Sequence, residues 1–312
     1  MLLWLKRVNQ FLHINNMTLN KTFAYVNGKI LPAEKASLSI FDRGLVLGDG
    51  LFETLRTVNG HPQFLPLHYE RLRKSARTLL IKMPIALDEL EKVIKTLCRK
   101  SKLEDVSTRI TVTRGKYHGG LGIDPSIPPS LIITVAPVKG LGEEIYSKGV
   151  PVAISSINKA AASGLDSKIK STNYLANIFA KAEADKKHCY ESILLGPKGE
   201  IAELSTASFF GVINGIVITP PLDTGILPGI TRQLLLQILK KQKIPFREGQ
   251  IFPKDVAHMS EAFLSSSVRG IVPITRIEKA KVGSGKVGPV FIRLRQLYVE
   301  TCIQDAKQSI KL

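Results

Sequence analysis

Cysteine is nearly absent from this chain. Cys98, Cys189 and Cys302 are odd in number and far apart, and they make no CxxC pair and no metal-ligand spacing. Neither a disulfide framework nor a metal site is expected, and a reducing, cytoplasmic compartment fits this usage. Long apolar runs are also missing, so no membrane-spanning segment is expected. The start, Met1 to Arg7, is briefly apolar but too short for a secretory signal, and no small-residue cleavage site follows it. Residues 1–16 read as an N-terminal extension, with Met17 as a candidate true start. Acidic residues are few: 26 against 44 Lys and Arg, a net charge of +18. The basic residues are spread along the chain with no basic block interleaved with aromatics, so nucleic acid is not an expected partner. The surplus reads as a solvated surface, or as a field that attracts a small anionic molecule. No internal repeat and no low-complexity tract is present.

What is there suits a soluble globular protein of one large or two ordinary domains, since 44% of the 312 residues are hydrophobic. Phe23 to Ile30 reads as two strands around an Asn27-Gly28 turn, and Ser37 to Ile40 continues the sheet pattern. Leu51 to Val58 alternates like a strand and ends at Asn59-Gly60, a hairpin signal. Leu67 to Leu80 and Leu87 to Cys98 have helical spacing. Thr108 to Arg114 and Leu131 to Ala136 are β-rich and flank a glycine-rich loop. Beyond a linker at 139–144, strands are expected at Val150–Ser155, Ser192–Leu195, Ile201–Glu203, Phe209–Ile213, Ile216–Thr219 and Ala262–Ser265. Helices are expected at Asn173–Lys187, Ile230–Lys241 and Val287–Gln304. The expected organisation is α/β in two lobes, a smaller one at 17–138 and a larger one at 145–312.

Three features carry chemistry. The run Lys170-Ser171-Thr172-Asn173-Tyr174-Leu175 places an amine just before a helix, although Lys168 is an equally available amine. Glu203 sits on a strand between Ala202 and Leu204, a poor setting for a surface carboxylate; Glu200 is a rival at the turn, with solvent as its expected home. Pro228-Gly229-Ile230-Thr231 opens a helix whose first amides have no partner within it, which suits an anion. Ser265-Ser266-Ser267 ends a strand with hydroxyls and amides, and Arg71 can grip a phosphate with two parallel hydrogen bonds. An amine for a Schiff base, a carboxylate for a pyridine nitrogen and amides for a phosphate are the set that pyridoxal phosphate requires.

Together these segments resemble the class IV aminotransferase family, the fold type IV pyridoxal phosphate enzymes. The resemblance runs from about Phe23 to Ile277. It is carried by Phe41-Asp42-Arg43-Gly44, Gly48-Asp49-Gly50-Leu51-Phe52-Glu53-Thr54, His68-x-x-Arg71-Leu72, Lys170-x-x-Asn173-Tyr174-Leu175-x-Asn177, Glu203-x-Ser205 and Gly229-Ile230-Thr231-Arg232. It implies pyridoxal 5'-phosphate as cofactor, Lys170 as the Schiff-base lysine and Glu203 as the pyridine partner. Arg71, the amides of Ile230 and Thr231, and Ser266 and Ser267 become phosphate contacts, and Tyr174 a contact to the ring hydroxyl. It further implies a homodimer with the site between the two lobes. Members usually carry Asn five residues after the glutamate, where this chain has Ser208.

The family divides into branched-chain aminotransferases, D-amino acid aminotransferases and 4-amino-4-deoxychorismate lyases. Branched-chain enzymes typically have Phe-Glu-Gly where this chain has Phe52-Glu53-Thr54, and a Tyr-x-Arg on a strand that here carries Arg109-Ile110-Thr111. D-amino acid enzymes typically carry a loop arginine at the position of Gly119. Phe52-Glu53-Thr54 and the segment from Ser267 to Pro273 look more like the lyase branch, which forms 4-aminobenzoate and pyruvate in folate biosynthesis. That branch is the first expectation, and an amino acid aminotransferase the alternative. Arg109, Lys116 and His118 are candidates for the cation that meets an anionic substrate.

Overall fold

The computed structural model describes residues 22–116, 119–138, 142–159 and 167–308. The expected extension at 1–16, the start at Met17, His118 and the first linker positions, 139–141, lie outside them. The described residues fall into two compact units, one of 22–138 with 306–308 and the other of 142–305.

The first unit contains, in chain order, β1 (Phe23–Val26), β2 (Lys29–Pro32), α1 (Arg43–Val46), β3 (Gly50–Val58), β4 (His61–Pro62), α2 (Leu65–Thr78), α3 (Leu87–Ser101), β5 (Val106–Thr113) and β6 (Ser130–Pro137). The strands form one antiparallel sheet in the order β2-β1-β6-β5-β3-β4. Two of its hairpins turn on Asn-Gly pairs, with φ of 47° and 90° at Asn27 and Gly28 and of 50° and 73° at Asn59 and Gly60. Only glycine and asparagine take this left-handed backbone readily. Helix α3 buries Leu90, Ile94, Leu97 and Cys98, an apolar stripe at helical spacing. Asp88 and Glu89 in its first turn and Arg99 and Lys100 in its last complement the helix dipole. The strand expected at Ser37–Ile40 is not formed: the segment pairs with no neighbour, and Leu38 and Ile40 are exposed. Its alternation of polar and apolar residues is real, but no sheet edge among the described residues takes it up.

The second unit contains α4 (Glu143–Lys148), β7 (Val150–Asn158), α5 (Leu175–Lys186), β8 (Glu191–Leu195), β9 (Ile201–Leu204), β10 (Ala207–Ile213), β11 (Ile216–Thr219), α6 (Ile230–Lys241), β12 (Phe246–Glu248), β13 (Met259–Ser266), β14 (Gly270–Ile277), β15 (Ala280–Lys281) and α7 (Pro289–Gln308). The path runs β12-β11-β10-β13-β14-β7-β8-β9, and β9 pairs in turn with β10. Six strands, β10, β13, β14, β7, β8 and β9, thus close on themselves. The pairs β14–β7 and β7–β8 are parallel, and the remaining pairs of the ring are antiparallel. Its apolar filling includes Phe209, Leu264, Val272 and Ile193. Phe210 and Phe263 stack at 5.0 Å between ring centroids. Each such fully buried large side chain contributes roughly 1.5–3 kcal/mol. The fold is α/β, as expected. Strand β14 shows in the sequence only as a motif, and α4, β12 and β15 are additions of the structure; all but β14 are short.

Candidate active site

Register aligns the chemistry of the second unit. Glu203 on β9 lies opposite Ser208 on β10, and Ser208 lies opposite Ser265 on β13. A carboxylate and two hydroxyls therefore form one row across three strands. Both serines are buried, and the Ser265 hydroxyl has no hydrogen-bond partner among the described residues. A buried hydroxyl without a partner carries a desolvation cost that a ligand can relieve.

The turn before α6 packs onto this row. Gly229 is the N-cap of α6 at an ordinary φ of −63°, and no side chain caps the helix. A Cβ on Gly229 would sit 2.7 Å from the Ser208 hydroxyl oxygen, closer than real Cβ atoms approach. Glycine is required here for space rather than for backbone freedom. The same contact gives Ser208 its place: its hydroxyl packs under the turn. Ile230 and Thr231 are buried in the first helical turn, whose amides the helix leaves unpaired. Arg232 anchors that turn through Nη2 to the Pro220 carbonyl at 2.8 Å and to Glu248 at 2.5 Å.

Glu203 is buried and holds two partners. Its Oε2 accepts from the Leu227 amide at 3.2 Å, and its Oε1 pairs with the Lys159 ammonium at 2.5 Å. Lys159 follows the end of β7 and is also largely buried; no pattern in the sequence marks it. Glu200 differs from expectation, because it is buried rather than solvated. Its carboxylate accepts from the Lys198 amide at 2.8 Å and folds over Gly196, where a Cβ would lie 2.6 Å away. It staples the turn at 196–199, which makes it a structural carboxylate.

Lys170 is half-buried and donates to the Tyr174 hydroxyl at 3.0 Å; Lys168 is exposed. Tyr174 is the N-cap of α5, so the helix start fixes the phenol beside the amine. Asn177, one turn into α5, donates to the Ser205 carbonyl at 2.5 Å and ties that helix to the turn after Glu203.

Ser266 accepts from Arg269 Nε at 3.1 Å. Arg269 is held by buried Glu191 at 3.1 Å and by the Thr206 hydroxyl at 2.6 Å, and Glu191 also accepts from Thr206 at 2.7 Å and from Ser205. This bracket fixes the strand end that carries Ser266 and Ser267. The sequence predicts this strand from Ser192, and Glu191, just before it, carries no signal there.

The other candidates belong to the first unit. Arg71 is buried there and clamps Glu53 through Nε and Nη2, both at 2.7 Å; His68 Nδ1 meets the same carboxylate at 2.7 Å. Burial alone would raise the Glu53 pKa, but the charges of Arg71 and His68 bring it down to about 2. The Arg109 guanidinium lies over the Phe52 ring at 3.7 Å. Lys116 is exposed, with its backbone bridged to Asp42. Gly119 and Gly120 have φ of 97° and 69°, so an arginine at 119 would be strained on this loop path. The loop is held by Arg43 Nη1, 3.3 Å from the Gly122 carbonyl, while Arg43 and Arg114 both bind Asp49 and lower its pKa against the burial that would raise it.

The described residues contain no His, Cys, Asp or Glu group that would hold a metal ion, and no helix long and apolar enough to cross a membrane. A buried carboxylate, uncapped helix amides beside a tight glycine turn, an unpartnered serine hydroxyl and a tyrosine-held lysine are groups whose chemistry suits pyridoxal phosphate. Residues 50–277 match the model of the amino-transferase class IV family, and the chain belongs to that family. It is 32% identical over 277 residues to a putative branched-chain-amino-acid aminotransferase of Methanocaldococcus jannaschii, covering 88% of this chain and 94% of that one. It is 31% identical over 282 residues to a D-alanine aminotransferase of Listeria monocytogenes, covering 89% and 96%. Among solved structures, the T.th. branched-chain amino acid aminotransferase with pyridoxamine 5'-phosphate superposes with a TM-score of 0.83 at 28% identity, over 89% of this chain and 93% of that one. The protein is a pyridoxal phosphate-dependent enzyme of this family.

Proposed function

We propose that the protein is a transaminase that exchanges an amino group between an amino acid and a 2-oxo acid, with branched-chain L-amino acids as the first reading and D-alanine as the second. The observation that carries the chemistry is the row Glu203, Ser208 and Ser265 under the Gly229 turn. The choice of branch is supported by the names of the two relatives above, both aminotransferases. The lyase expectation has no such support, and its two motifs have structural work. Glu53 of Phe52-Glu53-Thr54 neutralises Arg71, and Arg269 of the Ser267–Pro273 segment braces Ser266.

When bound, pyridoxal phosphate supplies an aldehyde that captures an amine and a ring that accepts electrons. Lys170 then carries a proton to and from the substrate carbon as general base and acid, with Tyr174 holding its nitrogen. Glu203 holds the proton on the ring nitrogen. The amides of Ile230 and Thr231, at the positive end of the α6 dipole, and the hydroxyls of Ser266 and Ser267 bind the phosphate. For Arg71 as a phosphate contact, and for Arg109 and Lys116 as substrate contacts, the support is the resemblance. We further propose a homodimer, because Ile40, Phe41, Leu45 and Val46 form an exposed apolar run.

The test is to supply 2-oxoglutarate with L-leucine or with D-alanine and to measure glutamate, and separately to supply aminodeoxychorismate and measure pyruvate. Glutamate from L-leucine supports the first reading and glutamate from D-alanine the second. Pyruvate from aminodeoxychorismate with neither amino acid consumed would return the protein to the lyase branch.

A further inference from the structure

Glu203 does not wait for a ring nitrogen as a lone buried carboxylate. Its Oε1 meets Lys159 Nζ at 2.5 Å, and both side chains are largely buried, 8% and 14% exposed. The groups that face it can be named strand by strand. On β8, Leu194 lies opposite, and on β10, Ser208; neither is charged. From the loop before α6 comes the Leu227 amide, a neutral donor. From the end of β7 comes Lys159, the one charged group paired with Glu203 among the described residues.

We propose that Lys159 is a positioning residue that acts through Glu203: it holds the carboxylate in place in the cofactor-free protein and then limits how tightly the ring nitrogen holds its proton. The inference rests on the reading of Glu203 as the pyridine partner. A buried charge is costly to leave unpaired, and breaking a buried pair by removing one partner is strongly destabilising. Lys159 gives the Glu203 carboxylate a buried partner at 2.5 Å before the cofactor arrives. Once the cofactor is bound, two cations share one carboxylate, the ammonium and the protonated ring nitrogen. A like charge disfavours the protonated form, so the ring loses its proton at a lower pH than it would beside Glu203 alone. A ring that gives up its proton more readily is a weaker electron sink, and Lys159 thereby sets the strength of that sink.

Two measurements on the full-length chain test this. The first is a double-mutant cycle of Lys159→Met and Glu203→Gln on cofactor-free protein, followed by urea unfolding. Each single variant is expected to lose stability, and the double variant to recover much of the loss. The second loads wild type, Lys159→Met and Lys159→Arg with cofactor labelled with 15N in the ring and titrates the ring nitrogen by NMR. The Met variant is expected to keep the ring proton to a pH about one unit higher, a tenfold change in proton affinity, while the Arg variant follows wild type. Should the Met variant not fold, Lys159→Gln takes its place with the same expected shift. Additive losses in the cycle, or coincident titrations of wild type and the uncharged variant, would overturn the inference while leaving the transaminase reading intact. Failure of wild type to take up the cofactor would overturn that reading, and the ring's part of this one with it.

Discussion

Replacing Glu53 by Gln separates the framework of the first unit from the chemistry of the second. In the wild type the Glu53 carboxylate is fully buried between Arg71 and His68, and its pKa falls from an ordinary 4.5 to about 2. A shift of roughly 2.5 units at ~1.36 kcal/mol each is about 3 kcal/mol of stability at neutral pH. Removing one partner of a buried pair costs about the same, roughly 3–5 kcal/mol, because Arg71 keeps its charge with its counter-ion gone. The sign follows from the depressed pKa: this stabilisation is complete above the unfolded value and fades as pH falls toward the folded value. One unit below the unfolded value, near about pH 3.5, roughly 1.4 kcal/mol of it is gone. Hydrogen exchange of the β3 and α2 amides, read at neutral pH and again near about pH 3.5, measures the opening free energy of this unit alone. Glu53→Gln should lower it by about 3 kcal/mol at neutral pH, and the gap between variant and wild type should narrow in acid. Equal exchange at neutral pH, or a gap that does not change in acid, would refute the electrostatic account of the Phe52-Glu53-Thr54 motif.

Lys170→Ala should abolish covalent retention of the cofactor after borohydride, read by mass spectrometry, whereas Lys168→Ala should retain it. Gly229→Ala should weaken cofactor binding at least about tenfold and cost about 1–3 kcal/mol by overpacking against Ser208; adding Ser208→Gly should restore much of both, and equilibrium dialysis with thermal unfolding checks the pair. Arg269→Met removes the brace on Ser266 and should raise the cofactor Kd about tenfold, roughly 1.4 kcal/mol, with the 15N titration of the ring unchanged.

Local signals were readable in the sequence wherever one short segment carried the whole reason for a structure. The hairpins at Asn27-Gly28 and Asn59-Gly60 need a backbone that few residues adopt, and the stripe of α3 declares its buried face. Glu203 was legible because its apolar neighbours mark a buried strand position. Glu200 was not, because a turn carboxylate is buried or solvated according to what lies above it, here the bare face of Gly196. Ser37–Ile40 shows the limit of alternation, which reports an apolar face and not whether this chain covers it. Lys159 and Glu191 were invisible for one reason: each takes its meaning from a partner brought to it by strand pairing, Lys159 from Glu203 and Glu191 from Arg269.

On the proposed site, the closing of the six-strand ring also bears on when the protein becomes a holoenzyme. Glu203 and Ser208 emerge from the ribosome together, but their row is completed by Ser265 on β13, and β13 is held in turn by β14, which spans Gly270–Ile277. Pairings between distant segments form slowly, since the entropy of closing the intervening loop is lost before the contacts repay it. A nascent chain that stops short of β13 has the lysine, the glutamate and the glycine turn, and lacks the strand that closes the ring beside them. On the proposed site, uptake of the cofactor is expected late in biogenesis, and its absorption on a growing chain would report the arrival of the last strands.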